Sequence, residues 1–208
     1  MSTSPANTAI PLRASANELP WQTLRVNGER IFLRPFEVAD ADTIFEYFTD
    51  EITRYMAPAT PNSVNDSLVF IESSRASMAA GVEFVFAICA HGSDEFLGCT
   101  GLHSRISNTI LELGIWIRAS AHGQHYGREA VHTLYHWAKE RFEVEYFTYP
   151  VDRANTPSRK VAESLGGVVI EERKSPTQNG GELDSLVYRI DWPLSPGGTY
   201  RAEDPGGF

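Results

Sequence analysis

The chain has 208 residues, 42% hydrophobic and 22% charged, with a formal net charge of −9. Such a length supports one domain with a substantial core, and the composition is that of an ordinary globular protein. The acid excess argues against general nucleic-acid binding, which needs a basic footprint, and no run of eighteen apolar residues is present to span a membrane.

The opening MSTSPANTAIPLRASANELP lacks a basic start and an apolar core, so it reads as a loose arm over 1–23 and not as a secretory signal. RIFLRPF (30–36) alternates and predicts a short strand. The spacing of Ala41, Ile44, Phe45 and Phe48 predicts a helix with Asp40 as its N-cap. Leu68, Ile71, Arg75 and Met78 mark a second helix, ended by Gly81. EFVFAICA and EFLGCTGLH are strands joined by the turn-prone HGSD, and TILELGIWI extends them into an antiparallel meander. Cys89 and Cys99 fall on the first two of these strands without His or Cys at ligand spacing. They predict reduced core residues, which fits a cytoplasmic location, and no metal site.

Residues 129–142 predict a helix with Ala130, Val131, Leu134, Trp137, Ala138 and Phe142 facing inward. EVEYFTYPV is a strand with Pro150 near its end, a placement tolerated only at an edge or a break. NTPSRKVAESLGG is a short helix with Thr156 as N-cap, Pro157 at its first position and Gly166 or Gly167 as its stop. VVIEE and LDSLVYRIDW pair across the polar RKSPTQNGGE, and residues 194–208 read as a flexible Gly/Pro-rich tail. The order β-α-α-β-β-β-α-β-α-β-β, without an internal repeat, predicts a single α/β domain over 24–193.

HGQHYGREA (122–130) joins a strand to a helix. Amides at a helix start favour an anion, and Gly123 and Gly127 permit unusual dihedrals and close approach. Arg118 and Arg128 are placed to add charge-assisted bonds. A plain strand-to-helix connection that happens to hold two glycines explains this stretch equally well.

VDRANTPSRKVAESLGG settles the balance. It too starts a helix, and the two segments in order resemble the acetyl-CoA-binding part of the GNAT superfamily of N-acetyltransferases, in the RimJ/RimL (ribosomal-protein N-terminal acetyltransferase) branch. The resemblance covers roughly 24–192: LRP with the following Asp in the first strand and helix, FLGCTGLH, LELGIWI, and Asn155, Ser158, Leu165 and Gly166 of the Asn-x-x-Ser…Leu-Gly signature. It implies a twisted mixed α/β sheet (α+β) flanked by helices, with the fourth and fifth predicted strands splayed apart. It also implies acetyl-CoA as co-substrate, its pantetheine arm along Trp116, Ile117 and Arg118. The diphosphate would lie on His122, Gly123, Gln124, His125, Tyr126, Gly127 and Arg128, and Asn155 and Ser158 would hold the amide arm and the thiol. The family loop has Gln or Arg where this chain has His122, and Gly where it has His125. A side chain at 125 then needs ordinary dihedrals or an outward imidazole. Position 167 is Gly in place of the usual Phe, and Ala162 stands where many relatives carry a Tyr acid, which closes that route.

On alternating TILELGIWI, Glu112, Gly114 and Trp116 share one face and Leu111, Leu113, Ile115 and Ile117 the other. Glu112 is the carboxylate available as general base, directly or through water; a surface or salt-bridged Glu is the other reading. An α-amine has an ordinary pKa near ~7.8 and a lysine amine near ~10.4. Freeing the first at pH 7 costs about 1 kcal/mol, the second about 4–5, which tilts the acceptor towards a protein N-terminus. A small-molecule amine and a non-catalytic CoA-binding module stay open. The segments 50–66 and 173–185 are expected to line the acceptor groove, with Tyr55 as contact or core residue. His103 and His136 read as ordinary polar residues. The implied partners are an amine-bearing acceptor and a second copy in a homodimer, with no nucleic acid and no membrane.

Overall fold

The computed structural model describes residues 21–191. Its elements are β1 (Val26–Asn27), β2 (Ile31–Pro35), α1 (Ala41–Tyr47), α2 (Asp50–Thr53), α3 (Val64–Ala79), β3 (Glu83–Ala90), β4 (Phe96–His103) and β5 (Ile110–Ile117). There follow α4 (Tyr126–Arg141), β6 (Tyr146–Asp152), α5 (Thr156–Ser164), β7 (Val168–Pro176) and β8 (Glu182–Asp191). The strands form one sheet in the order β1-β2-β3-β4-β5-β6-β8-β7. All neighbours are antiparallel except β5 and β6, which run parallel.

The parallel contact is short. Ile110, Leu111 and Glu112 pair with Tyr146, Phe147 and Thr148, and the ladder stops there. β5 stays paired with β4 as far as Ile117, and β6 with β8 as far as Asp152. The two central strands therefore diverge while each remains anchored on its outer side. Pro150, with no N–H to donate, lies in β6 beyond the last shared rung, at the break the sequence called for.

Each face of the sheet carries its own apolar cluster. On one, α4 lays Val131, Leu134 and Tyr135 against Leu111, Leu113, Phe147 and Tyr149, with Ile115 and Ile117 packed alongside. On the other, α1 and α3 supply Ile44 and Ile71 to Phe32, Val85, Cys89 and Trp116. The alternation read in β5 is thus observed, as are the inward residues of α4. Both cysteines are free and buried; desolvation pushes the Cys89 thiol up to about 11, and burial likewise raises that of Cys99. No helix among the described residues is long and apolar enough to cross a membrane.

Local corrections have local causes. Asp40 precedes α1, but its carboxylate is taken by Arg34, with both nitrogen–oxygen distances 2.7 Å, and by the Glu37 amide at 2.7 Å. It pins the β2–α1 turn and does not cap the helix. The cap of α5 is Asn155, whose Oδ1 accepts from Ser158 N at 3.2 Å, one residue before the expected Thr156. α4 begins at Tyr126, three residues earlier than periodicity indicates, because the apolar repeat starts only at Ala130. The expected polar linker after VVIEE is strand as far as Pro176, paired with β8. Trp21–Thr23 form a 3-10 turn, and Arg75 stacks on Trp21 at 5.3 Å. The rest of the expected arm and the expected tail lie outside the described residues.

His132 on α4 is buried, with Nε2 2.8 Å from Ser164 Oγ, and so joins α4 to α5. Burial, with smaller contributions from Arg128 and His136, lowers its pKa from 6.5 to about 4. The unfolded chain therefore takes up a proton that the folded chain refuses. Stability is unaffected above about 6.5 and falls as the pH drops towards 4, by up to about 3 kcal/mol. Denaturant unfolding of His132→Gln should lose about 2 kcal/mol less between pH 7 and pH 4.5 than the parent; an equal loss would place the acid sensitivity elsewhere.

Candidate functional site

The turn before α4 leaves main-chain donors free at a helix start. The amides of Tyr126, Gly127 and Arg128 have no acceptor within the helix, and the His125 side chain does not cap them. Gly123 adopts φ 76°, and a Cβ there would meet nothing within 4 Å. Gly127 serves differently: a Cβ would sit 3.4 Å from both Ile115 and Ile117, so its absence lets the helix start lie close on β5. The turn is clamped from below by Arg30, which bonds Glu129 Oε2 at 2.9 Å and the Gln124 carbonyl at 3.1 Å and stacks on Tyr126 at 4.8 Å. The amides of Arg30 and Ile31 also donate to Glu129 Oε1.

His125 occupies the left-handed region, φ 64° and ψ 10°, with its side chain exposed. These are dihedrals that favour glycine, and the imidazole is exposed. His122 bends back, its Nε2 2.7 Å from the Ile117 carbonyl. Arg128 is exposed beside the helix start. Arg118 is directed away from the turn: its guanidinium pairs with Glu95 and packs on Tyr47 at 5.2 Å. Trp116 is buried against Phe48 and Phe96, so what β5 offers the opening from Leu113 to Ile117 is its main-chain edge.

Across the opening, Ser158 Oγ lies 2.8 Å from the Tyr149 hydroxyl. Burial pushes Tyr149 up to about 12, with the Ser158 hydrogen bond opposing, so the phenol stays protonated at neutral pH. On the opposite face stands a row of in-register neighbours: Glu83, His103, Glu112 and Thr148. Glu112 is ion-paired with Arg105 at 3.0 Å. His103 Nδ1 is 3.1 Å from Glu83 Oε1, close enough for an ion pair though off the line of a well-formed hydrogen bond. That contact holds the Glu83 carboxyl below its ordinary range, against its own desolvation. Thr148 Oγ1 is buried without a partner among the described residues.

On the same face as Glu112, a cleft of about 700 Å³ runs between residues 50–62 and 177–183. Asp50, Arg54, Asn62 and Glu182 line it. Those are the two segments expected to form the acceptor groove. Tyr55 does not line it; its ring lies 5.3 Å from the Arg54 guanidinium, and Arg54 does. The hairpin tip is stapled to the α2 loop, Gln178 N donating to Ala57 O at 2.9 Å and Ala59 N to Gln178 Oε1 at 3.1 Å. Among the described residues no group of three or more His, Cys, Asp or Glu is placed to hold a metal ion.

Sequence reasoning missed Arg30, Arg105, Glu83, His103, Thr148 and Tyr149. Alternation in YFTYPV does put Tyr149 on the buried face of Phe147, a usable signal. The others depend on pairing between distant segments.

The left-handed residue generates a test. A non-glycine residue in that region costs about 1–2 kcal/mol, part of which glycine returns as chain entropy. His125→Gly should therefore raise the unfolding free energy by about 0.5–1 kcal/mol in chemical denaturation. A loss would show that the imidazole makes a stabilising contact.

Comparison with known proteins follows the same outline. Residues 30–168 match the acetyltransferase (GNAT) domain. The uncharacterized N-acetyltransferase p20 of Bacillus licheniformis is 28% identical over 139 residues, 66% of this chain and 78% of that protein. Mycobacterium smegmatis RimJ in complex with CoA-disulfide superposes with a TM-score of 0.73 at 20% identity, over 85% of this chain and 91% of that one. The ribosomal L7/L12 alpha-N-protein acetyltransferase RimL, in an apo crystal form, gives 0.71 at 15% identity, over 81% and 94%.

Proposed function

Because the chain belongs to the GNAT acetyltransferase family, we propose that it moves the acetyl group of acetyl-CoA to a primary amine by direct transfer, with a protein N-terminal α-amine as the favoured acceptor. The reading is carried by one observation: β5 and β6 part just beyond Glu112 and Thr148, leaving main chain they do not share between an uncapped helix start on one face and a carboxylate on the other.

In this reading the amides of Tyr126, Gly127 and Arg128 take the diphosphate, with Gly123 giving the turn its shape and Arg128 adding charge. The edge of β5 from Leu113 to Ile117 offers N–H and C=O groups to the amide arm, as a strand offers them to another strand. Asn155 caps α5 and so fixes Ser158 beside Tyr149. Ser158 then donates to the departing sulfur, stabilising the thiolate as the carbon–sulfur bond breaks. Acetyl-CoA itself supplies the activated acyl carbon.

Glu112 is ion-paired with Arg105. It draws the acceptor ammonium to the floor of the opening and, through a bound water, starts removal of its proton. The cleft between residues 50–62 and 177–183 shares this face and receives the acceptor. A small-molecule amine is the second reading, favoured by the staple between Gln178 and the α2 loop, which closes one side of the cleft.

Thermal unfolding with acetyl-CoA, CoA and ATP tests the donor; the two CoA compounds should raise the midpoint and ATP should not. Turnover with N-terminal peptides and small amines tests the acceptor. Glu112→Gln should lower kcat/KM about 10²–10³-fold while keeping the acetyl-CoA shift. A CoA shift without turnover on any amine would leave a binding module and end the enzymatic reading.

A further inference from the structure

We infer that His103, positioned by Glu83, is the group that accepts the acceptor amine's proton; this rests on the transferase reading above. Glu83, His103 and Glu112 are successive direct partners across β3, β4 and β5, so their side chains share one face at neighbour distance, about 4.5–5.5 Å between Cβ atoms. Thr148 continues the row on β6 at the last rung before the strands part. The row therefore marks the floor of the opening.

The two acidic neighbours of His103 are differently engaged. Glu112 is tied to Arg105, whose guanidinium occupies its Oε1. Glu83 lies against Nδ1. With Nδ1 so engaged, the ring's other nitrogen, Nε2, is left as the basic one, the arrangement that suits a histidine base. Nε2 has no partner among the described residues and extends over two glycines that face each other across β4 and β5. A Cβ on Gly101 would stand 2.6 Å from it and one on Gly114 3.6 Å. Gly101 thus clears the space the imidazole occupies. Gly114 lies two residues beyond Glu112, where β5 has already left β6, so Nε2 is aimed at the part of the opening where the acyl carbon must lie.

The proton balance follows. A water held by Glu112, with the buried Thr148 hydroxyl within the same row, passes one proton from the ammonium to His103 Nε2. The freed lone pair forms the new C–N bond. As the C–S bond breaks, the second nitrogen proton goes to the thiolate, which Ser158 has stabilised. His103 returns its proton to solvent. The products are an amide, a thiol and one released proton. Charged groups facing the imidazole are Glu83 from β3, Glu112 from β5 and Arg105 from the loop after β4. On β8 the row continues at Arg189, engaged with Asp191. Among the described residues α3, packed on β3, makes no ion pair with the row.

The test is the pH dependence of kcat/KM with the best amine, beside an NMR titration of the His103 ring in the free protein. The parent should show an acid limb of imidazole type. His103→Gln should lose that limb and fall about 10²–10³-fold, and His103→Ala should be partly restored by added imidazole. Glu83→Gln removes the carboxylate facing Nδ1, so the ring's tautomer balance, read from its nitrogen NMR signals, should change and kcat/KM should fall with the acetyl-CoA shift kept. An unchanged limb in His103→Gln, with the acetyl-CoA thermal shift retained, would overturn the inference and leave the transferase reading standing. So would ring nitrogen signals and a kcat/KM both unmoved by Glu83→Gln. Absence of turnover in the parent on every amine would overturn both.

Discussion

The organisation of this protein depends on an interrupted ladder. β5 and β6 share three rungs and then separate, although each is long enough to pair further. Backbone donors and acceptors left without partners are costly away from water, so such an opening must be held apart and must meet something polar. The first condition is visible. β4 holds β5 along its other edge, helped by Thr100 Oγ1 donating to the Gly114 carbonyl at 2.9 Å, and β8 holds β6 throughout. On the α4 side His132 joins α4 to the last residue of α5, Ser164.

From that constraint the division of labour follows. The face covered by α4 and α5 presents main-chain donors and the Tyr149–Ser158 pair, which suits a phosphate-bearing thioester and a thiolate leaving group. The other face presents carboxylates, an imidazole and an open polar cleft, which suits a cationic amine. In the proposed reading the two reactants would reach one point from two sides without competing for the same groups, the positional advantage that direct transfer requires. The net charge of −9 is consistent with an acceptor that arrives as a cation.

Much of this was legible in the sequence where a local rule governs. Period-two alternation in ILELGIWI placed Glu112 opposite Leu113, and period-three-to-four spacing placed Leu134 and Trp137 inward. Pro150 called for an edge or a break, and it stands just beyond the last rung shared with β5. Other features failed for identifiable reasons. Asn155 and Thr156 are adjacent residues that both cap well, and only geometry selects the first. Asp40 has the chemistry of a cap, but a guanidinium six residues earlier claims it. Arg30 and Glu129 are almost one hundred positions apart, and the row from Glu83 to Thr148 exists only once four strands are in register. Pairing between strands is the information a single sequence states least directly.

Hydrogen exchange followed residue by residue, with and without CoA, tests the central claim most directly. Backbone amides in 113–117 and 123–128 lie in the segments that border the opening and the helix start, and those left without protein acceptors should be protected only when CoA is present. Protection confined to those two segments and to Asn155–Ser158 is the predicted result. Protection centred on the cleft at 50–62, or none at all at the head of α4, would contradict the account.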